Sequence, residues 1–322
     1  MLTESALSER RATTTVAVIG TGTMGRGIAR VFLDAGHDIR VFDAVPGLAA
    51  TWVDSLDDAD RLAADGRVRV EAVDELAHAV AGAGLVVEVV AEDRAVKAEV
   101  LQALSAHAPD DCVIASNTSS YPIDDLATDC RLPERFLGMH FFNPADVIPG
   151  VEVVAGEATD QGVVDQAVAW LESAGKRPAT VRSSPGFIAN RLQMALFLEC
   201  LRCVEEGLVS PEDLDTVVST TFGFRLPMFG PFMIADMAGL DVYRSILQTL
   251  EDGLGERFAA PEALLALTDE GRFGLKVGHG FKTYGEQERI DLVAARDAQY
   301  RHLSAVLHGT GRSTTTDQED RA

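Results

Sequence analysis

His140 and Glu152 are the two residues of this sequence best suited to move a proton. His140 lies in Gly138-Met-His-Phe-Phe-Asn-Pro144, at the end of an apolar run, and Glu152 falls in the next apolar run. A histidine presented where a strand stops, with a carboxylate to orient it, suits proton transfer at neutral pH. Upstream, Ser116-Asn-Thr-Ser-Ser120 closes the run Cys112 to Ala115 with short hydrogen-bonding side chains, and downstream Asn190 sits among apolar residues. Ser119, His140, Glu152 and Asn190 thus occupy element ends or apolar settings, where an unbonded polar group is costly. Each has an ordinary alternative. His140 could be a satisfied core histidine, Ser119 a turn residue or helix cap, and Asn190 a partner of a neighbouring backbone group.

These residues gain weight from the start of the chain. Thr15 to Ile19 is a β-branched run, followed by Gly20-Thr-Gly-Thr-Met-Gly25 and by Met24, Ile28, Val31, Phe32 and Ala35 at helical spacing. Gly36-His37 ends that helix, and Asp38 to Asp43 reads as a second strand. A G-x-G-x-x-G between strand and helix, with an acid about 20 residues on, is a dinucleotide fingerprint. Gly20 permits the tight turn, Gly22 the approach of a pyrophosphate, and Gly25 close helix–strand packing, while the helix N-terminus offers N–H groups to the anion. Gly20, Gly22, Thr23, Met24 and Gly25 are therefore cofactor-binding candidates. Asp43 would accept from the adenosine ribose hydroxyls. Ala44 and Val45 provide no cation for a 2′-phosphate, so the expected cofactor is NAD rather than NADP.

Taken together, VIGTGTMG, VVEVVAED with Lys97 beyond it, SNTSS, GMHFFNP, VEVV around Glu152, PGFIANR around Asn190 and FGLKVGHGFKTY at 273–284 resemble the L-3-hydroxyacyl-CoA dehydrogenase superfamily. The resemblance is to that group in the wide sense that includes lambda-crystallin/L-gulonate 3-dehydrogenase and carnitine dehydrogenase. It spans about Val16 to Gly285, including the intervals between motifs. It implies that His140 is the base for the hydroxyl proton, that Glu152 orients it, and that Ser119 and Asn190 hold the reacting oxygen. It also implies that Glu92, Lys97, Asn117 and Asn143 lie along the nicotinamide half of NAD. Elementary chemistry agrees: alcohol oxidation needs a base with pKa near the operating pH, a partner for the resulting imidazolium, and donors for the developing alkoxide.

Length and composition set the frame for these residues. The 322 residues, 47% apolar and 24% charged, suggest two globular domains. No apolar stretch approaches the roughly 20 residues of a membrane span, and the start, Met1 to Thr13, is polar, so a cytoplasmic protein is expected. Fifty acids against 28 bases, a net charge of −22, argue against nucleic acid and anionic membranes as partners. Cys112, Cys130, Cys200 and Cys203 form no disulfide framework. Although Cys200 and Cys203 have C-x-x-C spacing, no further ligand is near, and no metal is expected.

Apolar runs at 16–19, 39–42, 67–70, 85–91, 112–115, 136–141 and 151–154 alternate with helical patterns, predicting a Rossmann doubly wound α/β sheet over 14–182. An all-helical C-terminal domain for substrate and dimerisation follows over 183–308, between tails at 1–13 and 309–322 expected to be mobile. Its first helix is predicted to start at Ser184-Pro185 and stop at Gly207, and Ser210-Pro-Glu-Asp213 to open another. Phe187, Ile188, Leu192, Ala195, Leu196 and Cys203 cover too much of that first helix for a surface element, so it needs a partner on each side, and the resemblance implies that this partner is the second subunit of a homodimer.

Residues 44–84 depart from the acyl-CoA enzymes of the resembled group. They are short, acidic and without lysine, where those enzymes carry a lysine-bearing hairpin for the CoA phosphates. Phe222 to Pro231, with Arg225, and an amphipathic stretch from about Glu286 to Leu307 resemble the free-acid branch. Arg225 could clamp a substrate carboxylate or form a structural ion pair. The expected activity is oxidation of the 3-hydroxyl, or reduction of the 3-keto group, of a small 3-hydroxy carboxylate. A CoA or carrier-protein thioester is the alternative substrate, and a catalytically silent crystallin-like protein is the reading from another class.

Overall fold

The computed structural model describes residues 14–62 and 69–308. Both tails and the first part of the expected 67–70 strand lie outside them. The chain divides into two units after Glu199. No described helix is long and apolar enough to cross a membrane.

The first unit holds β1 (Thr15–Ile19), α1 (Thr23–Asp34), β2 (Asp38–Phe42), α2 (Leu48–Asp54), α3 (Asp58–Arg61), β3 (Val70–Ala72), α4 (Leu76–Val80), β4 (Leu85–Glu88), α5 (Arg94–His107), β5 (Val113–Ser116), α6 (Ile123–Ala127), β6 (Phe136–Phe141), β7 (Gly150–Ala155), α7 (Gln161–Ser173) and β8 (Arg177–Arg182). The strands form one sheet in the order β3-β2-β1-β4-β5-β6-β7-β8, parallel except between β6 and β7. This is the expected doubly wound sheet. Order reverses between β1 and β4, and ligands of such sheets bind in the crevice at that point. Side chains alternate across the strands, so Val16 and Val18 join one apolar layer while Ala17 and Ile19 join the other.

Two expectations are corrected here. The edge strand β8 was not among the predicted strands, because Arg177-Pro-Ala-Thr-Val-Arg182 is polar and lies mostly exposed. The helix predicted from Ser184 begins instead at Ala189 (α8, Ala189–Glu205). Phe187, counted on that helix from the sequence, precedes it with φ +51° and is fully buried in the sheet unit's core.

Beyond Glu205 the chain is helical: α9 (Pro211–Thr220), α10 (Phe222–Arg225), α11 (Pro231–Ala238), α12 (Leu240–Leu254), α13 (Glu262–Asp269) and α14 (Glu286–His308). Gly207, at φ +71°, closes α8 as expected. Ser210 Oγ accepts from Asp213 N at 3.1 Å and so caps α9. The 273–284 motif wraps the buried Asp236, which accepts from Tyr284 Oη at 2.6 Å and from Phe281 N at 3.0 Å. A Cβ at Gly274 or Gly280 would collide with Asp236, and this makes that motif a structural clasp.

Candidate active site

Antiparallel pairing of β6 and β7 sets His140 directly opposite Glu152. Both are buried, at 4% and 6% exposure, and His140 Nδ1 lies 2.9 Å from Glu152 Oε2. The other carboxylate oxygen, Oε1, accepts from the backbone N–H groups of Ile188 (3.0 Å) and Ala189 (2.9 Å). Glu152 therefore satisfies two donors at the entry of α8, and the helix starts later than Ser184 because Gly186 and Phe187 are left-handed, at φ +69° and +51°. The imidazole is walled by the rings of Phe142, at 4.5 Å between centroids, and Phe187, at 5.6 Å.

Asn190, in the first turn of α8, donates from Nδ2 to the Ser119 carbonyl at 2.8 Å. An amide NH₂ carries two N–H donors, so one remains for a ligand. The loop bearing Ser119 is gathered by Glu92, whose Oε1 accepts from Thr118 Oγ1 (2.6 Å), Ser119 N (3.0 Å), Ser120 N (3.0 Å) and Ser120 Oγ (2.8 Å). Burial opposes the charge on Glu92. The hydroxyls of Thr118 and Ser120, with the Lys97 ammonium, outweigh it and bring the carboxyl down to about 2. Asn117 Oδ1 accepts from Phe141 N at 2.8 Å and ties the end of β5 to that of β6 beside His140. Asn143 begins the loop after β6, with a cis bond to Pro144.

Two residues of this neighbourhood were missed in the sequence. Glu88, at the end of β4, is fully buried and pairs with Lys97 at 2.9 Å; its signal was an acid inside the apolar run 85–91. Lys176 is buried with Nζ donating to the carbonyls of Ala145 (2.5 Å), Asp146 (3.3 Å) and Ile148 (2.9 Å), which pins the loop behind Asn143. Burial lowers its pKa from the usual lysine value. Its only sequence signal was rarity, as one of four lysines.

The glycine turn fits a dinucleotide. A Cβ at Gly20, where φ is +105°, would stand 2.6 Å from the Val89 carbonyl oxygen, and one at Gly25 would collide with the Gly20 carbonyl. Gly22 has open space where a Cβ would be, at the uncapped N-terminus of α1, which begins with Thr23 and Met24. That is a cradle for an anion. Asp43, just beyond β2, accepts from Thr21 N (2.7 Å), Thr21 Oγ1 (2.8 Å) and Val45 N (2.9 Å). Burial works against its charge, but these donors and nearby Arg26 hold its carboxyl below the usual range. An anion here suits ribose hydroxyls and repels a 2′-phosphate.

Arg225 belongs to the second unit. It lines a cavity of about 310 Å³ with Arg296, Asp297 and Tyr300 among others. Arg296 is paired with Asp297 at 2.7 Å, whereas Arg225 Nε is buried without a hydrogen-bond partner among the described residues. The structural ion pair weighed for Arg225 is not found among them. The acids of 44–84 do find partners: Asp60 binds Arg30 at 2.5 Å, and Glu71 lies 3.7 Å from Arg40. Among the described residues no group of His, Cys, Asp and Glu could hold a metal, and the four cysteines are free.

Residues 15–184 match the family model "3-hydroxyacyl-CoA dehydrogenase, NAD binding domain", and residues 186–284 match the corresponding C-terminal domain. A 5-formyl-3-hydroxy-2-methylpyridine 4-carboxylate 5-dehydrogenase of Mesorhizobium japonicum is 36% identical over 305 residues, covering 91% of this chain and 98% of the relative. A probable 3-hydroxybutyryl-CoA dehydrogenase of Bacillus subtilis is 35% identical, covering 84% of this chain and 98% of its own. The crystal structure of a 3-hydroxyacyl-CoA dehydrogenase from Archaeoglobus fulgidus superposes with a TM-score of 0.79 at 30% identity, covering 90% of this chain and 99% of the other.

Proposed function

This chain belongs to the 3-hydroxyacyl-CoA dehydrogenase family, NAD-dependent oxidoreductases acting on a CH–OH group, and we propose that it interconverts the 3-hydroxyl and 3-keto groups of a small 3-hydroxy carboxylate, with His140 as general base. The buried His140–Glu152 pair is the observation that carries this reading. Bound NAD would supply the hydride-accepting chemistry. Glu152 accepts the Nδ1 proton of His140 and thereby selects the tautomer whose Nε2 lone pair can take the hydroxyl proton. It also balances the imidazolium that results. The remaining N–H of Asn190 and the Ser119 hydroxyl donate to the oxygen as negative charge develops on it. Phe142 and Phe187 keep water from the imidazole face. The glycine turn and Asp43 hold the pyrophosphate and adenosine ribose, while Glu92, Lys97, Asn117 and Asn143 line the nicotinamide half.

Arg225 supports a free carboxylate as the substrate's anchor. Its Nε has no partner among the described residues, and a guanidinium binds a carboxylate through two parallel hydrogen bonds. The acidic 44–84 segment offers little to CoA phosphates, and the Mesorhizobium relative is named for a pyridine carboxylate. The relatives named for CoA esters favour a second reading, a 3-hydroxyacyl thioester. Steady-state kinetics across free 3-hydroxy acids and their CoA esters separate the two. Arg225→Met should raise KM for the free acid by about tenfold or more, with little change in Tm. Wild-type turnover of CoA esters far above that of every free acid sinks the carboxylate reading.

We also assign the exposed apolar circumference of α8, including Leu192, Phe197 and Leu198, to a homodimer interface. Sedimentation should then give twice the 34.4 kDa chain mass; a monomer at micromolar concentration removes this assignment.

A further inference from the structure

Glu88 is a buried acid that the proton-transfer groups do not use. It ends β4, in register with Ile19 of β1 and Ser116 of β5, and so lies at the carboxyl edge of the sheet beside the reversal of strand order. The residue after it, Val89, lies under the Gly20 turn. Its carboxylate is saturated with donors: Lys97 Nζ at 2.9 Å to Oε1 and 3.2 Å to Oε2, Ser116 Oγ at 2.6 Å and Val90 N at 2.8 Å. Lys97, 1% exposed, also lies 3.2 Å from Glu92 Oε2. One ammonium shared by two carboxylates leaves this cluster with a single negative charge. Glu88 and Lys97 are buried, and Glu92, although exposed, is held by the Ser119 loop, so the charge keeps a fixed place.

The sheet indicates what this charge faces. Asp43 beyond β2 and the turn after β1 serve the adenosine ribose and pyrophosphate, so the rest of a dinucleotide must extend over the ends of β4, β5 and β6. There the two redox forms of the cofactor differ by one unit of charge, because the nicotinamide ring of NAD is cationic and that of NADH is neutral. A fixed anion lowers the free energy of the cationic ring and does little for the neutral one.

We propose that Glu88 is a positioning residue that sets the enzyme's preference between the redox forms of its cofactor: by holding Lys97 against Glu92 it keeps a net negative charge beside the nicotinamide and tilts binding toward NAD. This rests on the reading that Glu92 and Lys97 line the nicotinamide half. Glu88 acts through Lys97 rather than by touching the ring.

The test is equilibrium titration of the full chain, without substrate, with NAD, NADH and ADP-ribose. Glu88→Gln neutralises the cluster and should raise the ratio Kd(NAD)/Kd(NADH) about fivefold or more. Affinity for ADP-ribose, which lacks the nicotinamide, should stay within about twofold of wild type. In the double variant Glu88→Gln/Lys97→Met, one negative charge remains on Glu92, and the ratio should return toward wild type. A purely structural role for Glu88 cannot produce that rescue. Should Glu88→Gln fail to fold, Glu92→Gln removes the same unit of charge without disturbing the buried pair and should raise the ratio likewise. An unchanged ratio in the folded single variants overturns the proposal. So does parallel weakening of ADP-ribose, or a double variant no different from Glu88→Gln. None of these titrations involves proton transfer, so their failure leaves the His140 reading untouched, and failure of the His140 variant leaves this one standing.

Discussion

Replacement of His140 by glutamine should lower kcat by about 10²–10⁴, the usual scale for loss of a general base, while NAD affinity and Tm remain near wild type. Glutamine approximates the imidazole's reach and can still donate to Glu152, so the buried carboxylate keeps a partner and the β6–β7 pairing is undisturbed. Missing is a group that can accept the hydroxyl proton as the hydride departs. The measurement is kcat under conditions where chemistry limits turnover, alongside a thermal melt and an NAD titration. Near wild-type kcat would remove His140 from the mechanism.

Glu152→Gln should lower kcat by about 10²-fold or more, and Glu152→Ala should in addition lose stability. The two oxygens of Glu152 have different duties, Oε2 toward His140 Nδ1 and Oε1 toward the N–H groups of Ile188 and Ala189. Glutamine can keep its oxygen on those two backbone donors and present its NH₂ to the imidazole. That selects the opposite tautomer, with the proton on Nε2, and leaves no charge to balance the imidazolium. Alanine removes both contacts and leaves two backbone donors at the entry of α8 without this acceptor, at about 1–3 kcal/mol for each that stays buried. The expected contrast is therefore a melt near wild type for Glu152→Gln and a clearly lowered one for Glu152→Ala, with both depressed in turnover. If Glu152→Gln turns over normally, Glu152 serves α8 alone and His140 does not depend on it.

The dinucleotide half was legible in the sequence because its signals are local. The G-x-G-x-x-G spacing lies within six residues, with Gly25 dictated by a clash with the Gly20 carbonyl, and the strands β1, β4 and β6 are apolar runs because the sheet is covered on both faces. Edge strand β8 escaped notice for the converse reason. Exposed on its faces and carrying Pro178, it has no apolar run to mark it. The start of α8 was misplaced because Gly186 and Phe187 turn left-handed, at φ +69° and +51°, and the entry donors of the helix are met by Glu152, more than thirty residues away.

The sequence by itself determined the doubly wound sheet, the glycine turn with its acid at Asp43, and the residue types that suit proton transfer at positions 119, 140, 152 and 190. Tertiary structure alone decided how those side chains spend their hydrogen bonds. Antiparallel pairing of β6 with β7 sets Glu152 across from His140, Asn190 donates to the Ser119 carbonyl, and Glu88 pairs with Lys97 rather than with solvent. The physical reason is that periodicity records only which face of an element is apolar. The partner of a buried polar group is set by strand register and by loops that meet across the sheet, and neither leaves a mark in neighbouring residues.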